Sequence, residues 1–160
     1  MRVLGIDPGS LVTGFGIVEK RRNNVAYIDH GEIKSPPGGL LPEFLVEIYE
    51  RLMDVIREAK PDAMAVEEVF YGKNVRSLIR QGQARGAAIL AGAHSGIPVY
   101  EYSALEVKKS VVGYGRAEKD QVQNMVKALL HLSEPPPADA ADALAVAICH
   151  IHSSGRMPRR

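Results

Sequence analysis

The chain has 160 residues, 46% of them hydrophobic and 24% charged, with a formal net charge of +1 and one cysteine, Cys149. That length supports one compact core; the lack of any apolar run near the roughly 18 residues of a membrane span excludes an integral membrane protein, and a lone cysteine excludes an internal disulfide. The N-terminus reaches a carboxylate, Asp7, too early for a signal peptide, so the sequence fits a reducing cytoplasm with no membrane partner.

In chain order, residues 2–7 are a short apolar run that stops at Pro8-Gly9-Ser10 and predicts a buried strand ending in a turn. Residues 14–18 and 25–29 predict two more strands, the second continuing toward Ile33, joined across the polar connector 20–24. Residues 35–39, Ser-Pro-Pro-Gly-Gly, break the pattern. From 42 to 60, Leu45, Ile48, Leu52, Val55 and Ile56 recur at helical spacing, while Glu43, Glu47, Glu50, Asp54 and Glu58 line another face. Residues 62–66 predict a fourth strand, which ends at Glu67-Glu68. A long helix over 74–94 follows, with Gly82 and Gly86 four apart. Small residues at that spacing admit a close neighbour, and the sheet is the expected one, a second subunit the other.

Residues 98–102 predict a fifth strand, and Ser103 with Glu106 makes a capping box for a short helix that stops at Gly113 to Gly115. A helix over 117–130 should bury Val122, Met125, Val126, Leu129 and Leu130; Pro135-Pro-Pro137 then forces an extended link to a last Ala-rich helix, 138–151, and residues 153–160 form a flexible tail. The order predicts an α/β domain over residues 1–152, a central five-stranded mixed sheet with helices on both faces.

Charge is uneven along this plan. Residues 1–70 carry 8 Lys and Arg against 12 Asp and Glu, residues 71–160 carry 12 against 7. No acidic residue lies between Val69 and Tyr100, a stretch that holds Lys73, Arg76, Arg80 and Arg85. Such a patch draws a polyanion, unless its acidic partners come from elsewhere in the fold.

Four acids have the placement of a site. Asp7 ends the first strand and Glu67 the fourth, which puts both at one edge of the sheet if those strands are parallel neighbours. Asp139 and Asp142 are three apart on one helix and share a face. Carboxylates so gathered suit hard cations such as Mg2+, and two ions roughly 4 Å apart can serve phosphodiester hydrolysis. Singly, each acid also reads as plain structure: Asp7 as a turn residue, Glu67 or Glu68 as a surface acid, Asp139 and Asp142 as first-turn charges of a helix. Spacing alone leaves both readings open.

Six motifs taken together go further. Gly5-Ile-Asp-Pro-Gly-Ser10 followed by Thr13-Gly14, Ala65-Val-Glu-Glu-Val-Phe70, Gly82-Gln-Ala-Arg-Gly86, Val111-Val-Gly113, Ala117-Glu-Lys119 and Ala138-Asp-Ala-Ala-Asp-Ala-Leu144 resemble, in order and to about His150, the RuvC family of Holliday junction resolvases. The resemblance implies an RNase H-like fold and a homodimer that makes paired nicks in four-way junction DNA. It also implies Mg2+ as cofactor, two ions per site with Mn2+ able to substitute, and work beside the RuvA and RuvB branch-migration proteins. It puts the catalytic, metal-holding carboxylates on Asp7, Glu67, Asp139 and Asp142, with Phe70 stacking on unpaired bases and Lys108 and Lys119 near the scissile backbone. Lys73, Arg76 and Arg80 join these as expected DNA contacts, from the acid-free stretch. The resemblance falls on Glu67 as the first acid of its run, and only one of Glu67 and Glu68 can join the site because successive strand residues point to opposite faces. Three rivals are another RNase H-like nuclease, a sugar kinase or actin-like ATPase, which should carry a second phosphate loop and about twice the length, and a junction-binding protein without catalysis.

Overall fold

The computed structural model describes residues 1–69, 71–72 and 74–153; Phe70, Lys73 and the tail from residue 154 lie outside the described residues. Its elements run β1 (Arg2–Asp7), β2 (Val12–Arg21), β3 (Asn24–Lys34), α1 (Leu41–Ala59), β4 (Ala63–Glu67), α2 (Val75–His94), β5 (Val99–Tyr102), α3 (Ala104–Val112), α4 (Lys119–Leu129) and α5 (Ala138–His152). The strands form one sheet in the order β3-β2-β1-β4-β5. The first three pair antiparallel, and β4 and β5 continue the sheet parallel to β1. This is the mixed, RNase H-like sheet the sequence implied. Short hairpins suffice for antiparallel neighbours, whereas parallel ones need a crossover, here α1 and then α2.

The two faces carry separate apolar layers. Leu4, Ile6, Phe15, Ile17 and Val66 pack under α1 and α2, and Val3, Val18, Ala65 and Tyr102 pack under α3, α4 and α5. On α1 the buried residues are Phe44, Ile48, Leu52, Val55 and Ile56, each contributing roughly 1.5–3 kcal/mol by leaving water. Leu45, expected in that row, is half-buried, and Phe44 takes its place. On α4 the buried set is Val122 and Val126, with Leu130 as the helix's cap residue; Met125 is half-buried and Leu129 is 36% exposed, so the expected row was one residue too wide. The connector 20–24 is tighter than expected. Arg21 pairs with Asn24, so only Arg22 and Asn23 make the turn, with Arg22 in the left-handed region at φ 47°.

Gly82 and Gly86 do not pack on the sheet. Ala84, Ala88 and Ala91 fill that face of α2, and a Cβ at either glycine would meet nothing within 4 Å. The capping box of Ser103 with Glu106 does open α3, and Gly113, at φ 93°, ends it.

The close approaches lie on the other face. Gly5 pairs with Gly16 and Asp7 with Gly14 across β1 and β2, so these residues share one face. A Cβ at Gly5 would stand 2.0 Å from the Ala143 carbonyl oxygen, one at Gly14 2.0 Å from the Asp139 carbonyl oxygen, and one at Gly16 2.6 Å from Leu144 Cγ. The backbone of α5 therefore lies directly on a glycine floor. Gly14→Ala must push α5 off that floor at the residue that carries Asp139. We expect it to lower stability by about 1–3 kcal/mol, the usual cost of overpacking, and to lose more activity than stability; denaturant melts and nicking assays on the same preparation check both.

Candidate active site

β1, β4 and β5 run parallel, so their carboxyl ends share an edge. Gly5 is level with Ala65 and Ile6 with Val66, so the register carries Asp7 to the level of Glu67. Counting by twos from Gly5 and Ala65 puts both acids on the α5 face. Asp139 and Asp142 come down from the first turns of α5 onto that same edge, over the glycine floor. All four acids line one cavity of about 530 Å³. Glu68 does not line it, as strand alternation requires.

Crowding and burial make these acids hard to ionise. Burial, then the charge of Glu67, pushes Asp7 up to about 8. The two carboxyls are hydrogen-bonded, and burial holds a proton between them. Burial also raises Glu67. It pushes Asp142 up to about 6, with the charge of Asp7 next in weight, and it raises Asp139, with Glu32 adding to the effect.

Two cations enter the same cavity, Lys108 from α3 and Lys119 from the start of α4. Lys119 Nζ lies 3.9 Å from Asp142 Oδ2 with its side chain 81% exposed. An ion pair that open is worth under about 1 kcal/mol, so Lys119 is only weakly held where it stands. Arg76 and Arg80 lie outside the cavity lining. Arg76 is exposed on the first turn of α2, and Arg80 is half-buried, its Nε lacking a hydrogen-bond partner among the described residues. The expected roles of Phe70 and Lys73 fall on residues outside the described ones.

The donor set is all oxygen and suits a hard divalent cation. Among the described residues no three His, Cys, Asp or Glu side chains stand together as a ready cage for an ion. Asp7 is hydrogen-bonded to Glu67, and Asp142 stands beside Lys119. A cation of the Mg2+ kind takes one or two carboxylates and fills its shell with water and phosphate oxygens, so a closed cage is not what this chemistry needs.

The family model for the crossover junction endodeoxyribonuclease RuvC matches residues 3–150. The chain belongs to the RuvC family. The RuvC of Geobacter metallireducens is 56% identical over 155 residues, which cover 97% of this chain and 94% of that protein. That of Caldanaerobacter subterraneus subsp. tengcongensis is 51% identical over 160 residues, 99% of this chain and 97% of the relative. T. thermophilus RuvC, solved in complex with Holliday junction substrate, is 35% identical and superposes with a TM-score of 0.90 over 96% of this chain and 94% of that one. The yeast mitochondrial resolvase Ydc2 shares the fold at 13% identity, with a TM-score of 0.64 over 92% of this chain and 76% of that one. No helix among the described residues is long and apolar enough to cross a membrane.

Sequence reasoning missed three parts of this RuvC-family site. Gly5 and Gly14 were legible as motif glycines and Gly16 only as a strand residue, and the reason for all three is the register that aligns them under α5. Ser10 and Gln81 also line the cavity. Ser10 sits in a motif already singled out, whereas nothing in the sequence distinguishes Gln81 from the other polar residues of its helix.

The raised carboxylates set the sign of a pH effect. Their folded pKa values exceed the unfolded ones, so the metal-free fold binds more protons than the unfolded chain. Stability is complete below about pH 4 and declines as pH rises through about 6 for Asp142 and about 8 for Asp7. Asp7→Asn supplies a neutral side chain that still donates to Glu67. In EDTA at pH 8–9 it should be more stable than wild type by on the order of 1 kcal/mol, and at pH 4 no more stable. Thermal melts across pH test this; a variant that melts below wild type at pH 8–9 would make Asp7 a structural anion instead.

Proposed function

We propose that this chain is a Holliday junction resolvase of recombination and repair, a single domain over residues 1–152 that cuts four-way DNA junctions by metal-dependent phosphodiester hydrolysis. The carrying observation is that Asp7, Glu67, Asp139 and Asp142, from three separate elements, line one cavity with Lys108 and Lys119, in a chain of the RuvC family. Catalysis rests on those four acids. They would hold Mg2+ or Mn2+, two ions per site, which when bound ready a water and stabilise the leaving oxygen. Asp7 and Glu67 must give up their shared proton to bind cations, so the site loads better as pH rises. Asp139 and Asp142 approach from the positive end of α5, which favours their anionic form against the burial that opposes it. Lys108 and Lys119 hold the scissile phosphate over the acids, and Arg76, Arg80, Lys73 and Phe70 guide and open the junction before the cut. A DNA substrate supports work in the cytoplasm, and family membership supports RuvA and RuvB as partners.

Two symmetric nicks need two sites related by a two-fold axis, so the active species is a homodimer. The surface that suits a second copy is the groove of about 420 Å³ between α1 and α2, where Val46, Tyr49, Gly86 and Leu90 meet. Val46 is 54% and Leu90 59% exposed, and contiguous apolar surface of this kind is uncommon on a monomer. Sedimentation should give a dimer in wild type and a monomer with reduced paired cutting in Leu90→Glu. Paired cutting by a species that sediments as a monomer on the junction would contradict this.

Replacing any of the four acids by its amide should abolish nicking, by at least about a hundredfold, and leave junction binding intact, because binding rests on the cations. Full activity in one amide variant removes that residue from the mechanism. Lys108→Ala and Lys119→Ala should each flatten the log-log salt dependence of binding by roughly 1, measured by fluorescence anisotropy.

A further inference from the structure

The row of charge at the strand ends does not stop at Asp7. Asp7 is level with Gly14 on β2, and Gly14 is level with Glu32 on β3, so Glu32 leaves the sheet on the α5 face, just beyond the glycine on which α5 rests. Lys34, two residues on, stands on the same face, and its Nζ lies 3.2 Å from Glu32 Oε2. Both charges reach Asp139: after burial, Glu32 raises its carboxyl, whereas Lys119 and Lys34 lower it.

A further carboxylate at this place is costly, because it adds to the repulsion around Asp139. What it brings is a fixed cation. The Glu32 side chain is 16% exposed and that of Lys34 68%, so the fold holds the carboxylate while the ammonium stands at the rim. An ammonium has three donors. Glu32 engages one, and Lys34 forms no other hydrogen bond or ion pair among the described residues. A lysine on its flexible stem is otherwise a roaming charge; here it is displayed in one place with donors to spare.

That place complements the lysines of the cavity. The charge of Lys108 reaches Glu67 and Asp142, and that of Lys34 reaches Asp139, so the two cations flank opposite ends of the acid row. Lys34 is outside the cavity lining, on a strand two spacings, roughly 10 Å, from the one that carries Asp7. A DNA strand whose scissile phosphate lies over the acids must carry its next phosphate out of the cavity. We propose that Lys34 is a further DNA-binding residue with Glu32 as its positioning residue: the fixed ammonium takes the backbone phosphate next to the scissile one on the β3 side, and so sets the direction in which the strand crosses the site. This rests on the junction-cutting reading above and adds to it the path of the strand.

The test is binding of the full chain, in EDTA, to synthetic four-way junctions with one neutral methylphosphonate at either neighbour of the scissile phosphate, the cut having been mapped with Mg2+. By fluorescence anisotropy, wild type should lose about fivefold in affinity at one neighbour and not at the other. Lys34→Ala should bind the unmodified junction about fivefold less tightly, lower the log-log salt slope by roughly 1, and lose nothing further at that neighbour. Lys34→Arg should restore both. Glu32→Gln removes the anchor together with a negative charge, so the penalty at that neighbour should shrink with little change in total affinity. Unchanged affinity and slope in Lys34→Ala overturn the proposal. So does a methylphosphonate penalty that persists in full in that variant, which would give the phosphate to another cation. A penalty left whole in Glu32→Gln overturns the role of Glu32. Wild type that binds the junction with no penalty at either neighbour overturns this inference alone, and wild type that neither binds nor cuts the junction overturns the function with it.

Discussion

The structure depends on how closely α5 lies on the sheet. An ordinary helix stands off a sheet by the length of its side chains, but Gly5, Gly14 and Gly16 remove those side chains from the strands, and Ala140, Ala143 and Ala147 keep them short on the helix. The result is backbone against backbone. That contact brings Asp139 and Asp142 down to the strand ends that carry Asp7 and Glu67. Were the helix raised by one methyl layer, two pairs of acids would face each other across a gap and not line one cavity. The far end of α5 is fastened too: the Tyr102 hydroxyl and His150 Nδ1 are 2.8 Å apart in the interior, and burial pushes the His150 pKa down, which keeps the ring neutral.

Close packing creates an electrostatic problem at the strand ends. Four carboxyl groups in a half-buried cavity cannot all be ionised without a cation, since desolvation and mutual repulsion both act against charge. The fold tolerates this by leaving a proton between Asp7 and Glu67 and setting Lys119 beside Asp142. Each of these arrangements is weak or reversible. A site poised in this way is unfavourable for the metal-free fold and receptive to divalent cations, the familiar exchange of stability for function.

Much of the plan was legible in the sequence because its signals were local. The strand ending in Asp7-Pro-Gly, the capping box at Ser103 and Glu106 and the helical row on α1 each announce themselves within a few residues, and strand alternation limited the site to one of Glu67 and Glu68, the resemblance pointing to Glu67. What sequence could not supply was register. Whether Gly5 faces Gly16, and whether Gly14 lies under Asp139, depends on pairings between segments distant along the chain, so the reason for the glycines was hidden. Gly82 and Gly86 misled for the same reason: small residues four apart look alike whether they face a sheet or solvent, and the faces of α2 are fixed by Ala84 and Ala88. Leu129 and Leu45 show the matching error of a helical row drawn one residue too wide, at positions where tertiary packing and not periodicity chooses the buried side.

We propose that convergence of the four acids makes this chain a junction nuclease. Its most direct measurement is strand-resolved mapping of the nicks that the full chain makes, with Mg2+, in a synthetic four-way junction and in linear duplexes of the same arm sequences. A junction nuclease leaves nicks at symmetric positions on two opposed strands of the junction, dependent on the added metal, and none in the duplexes. Equal cutting of junction and duplex, or junction binding with no metal-dependent nick at all, would contradict it.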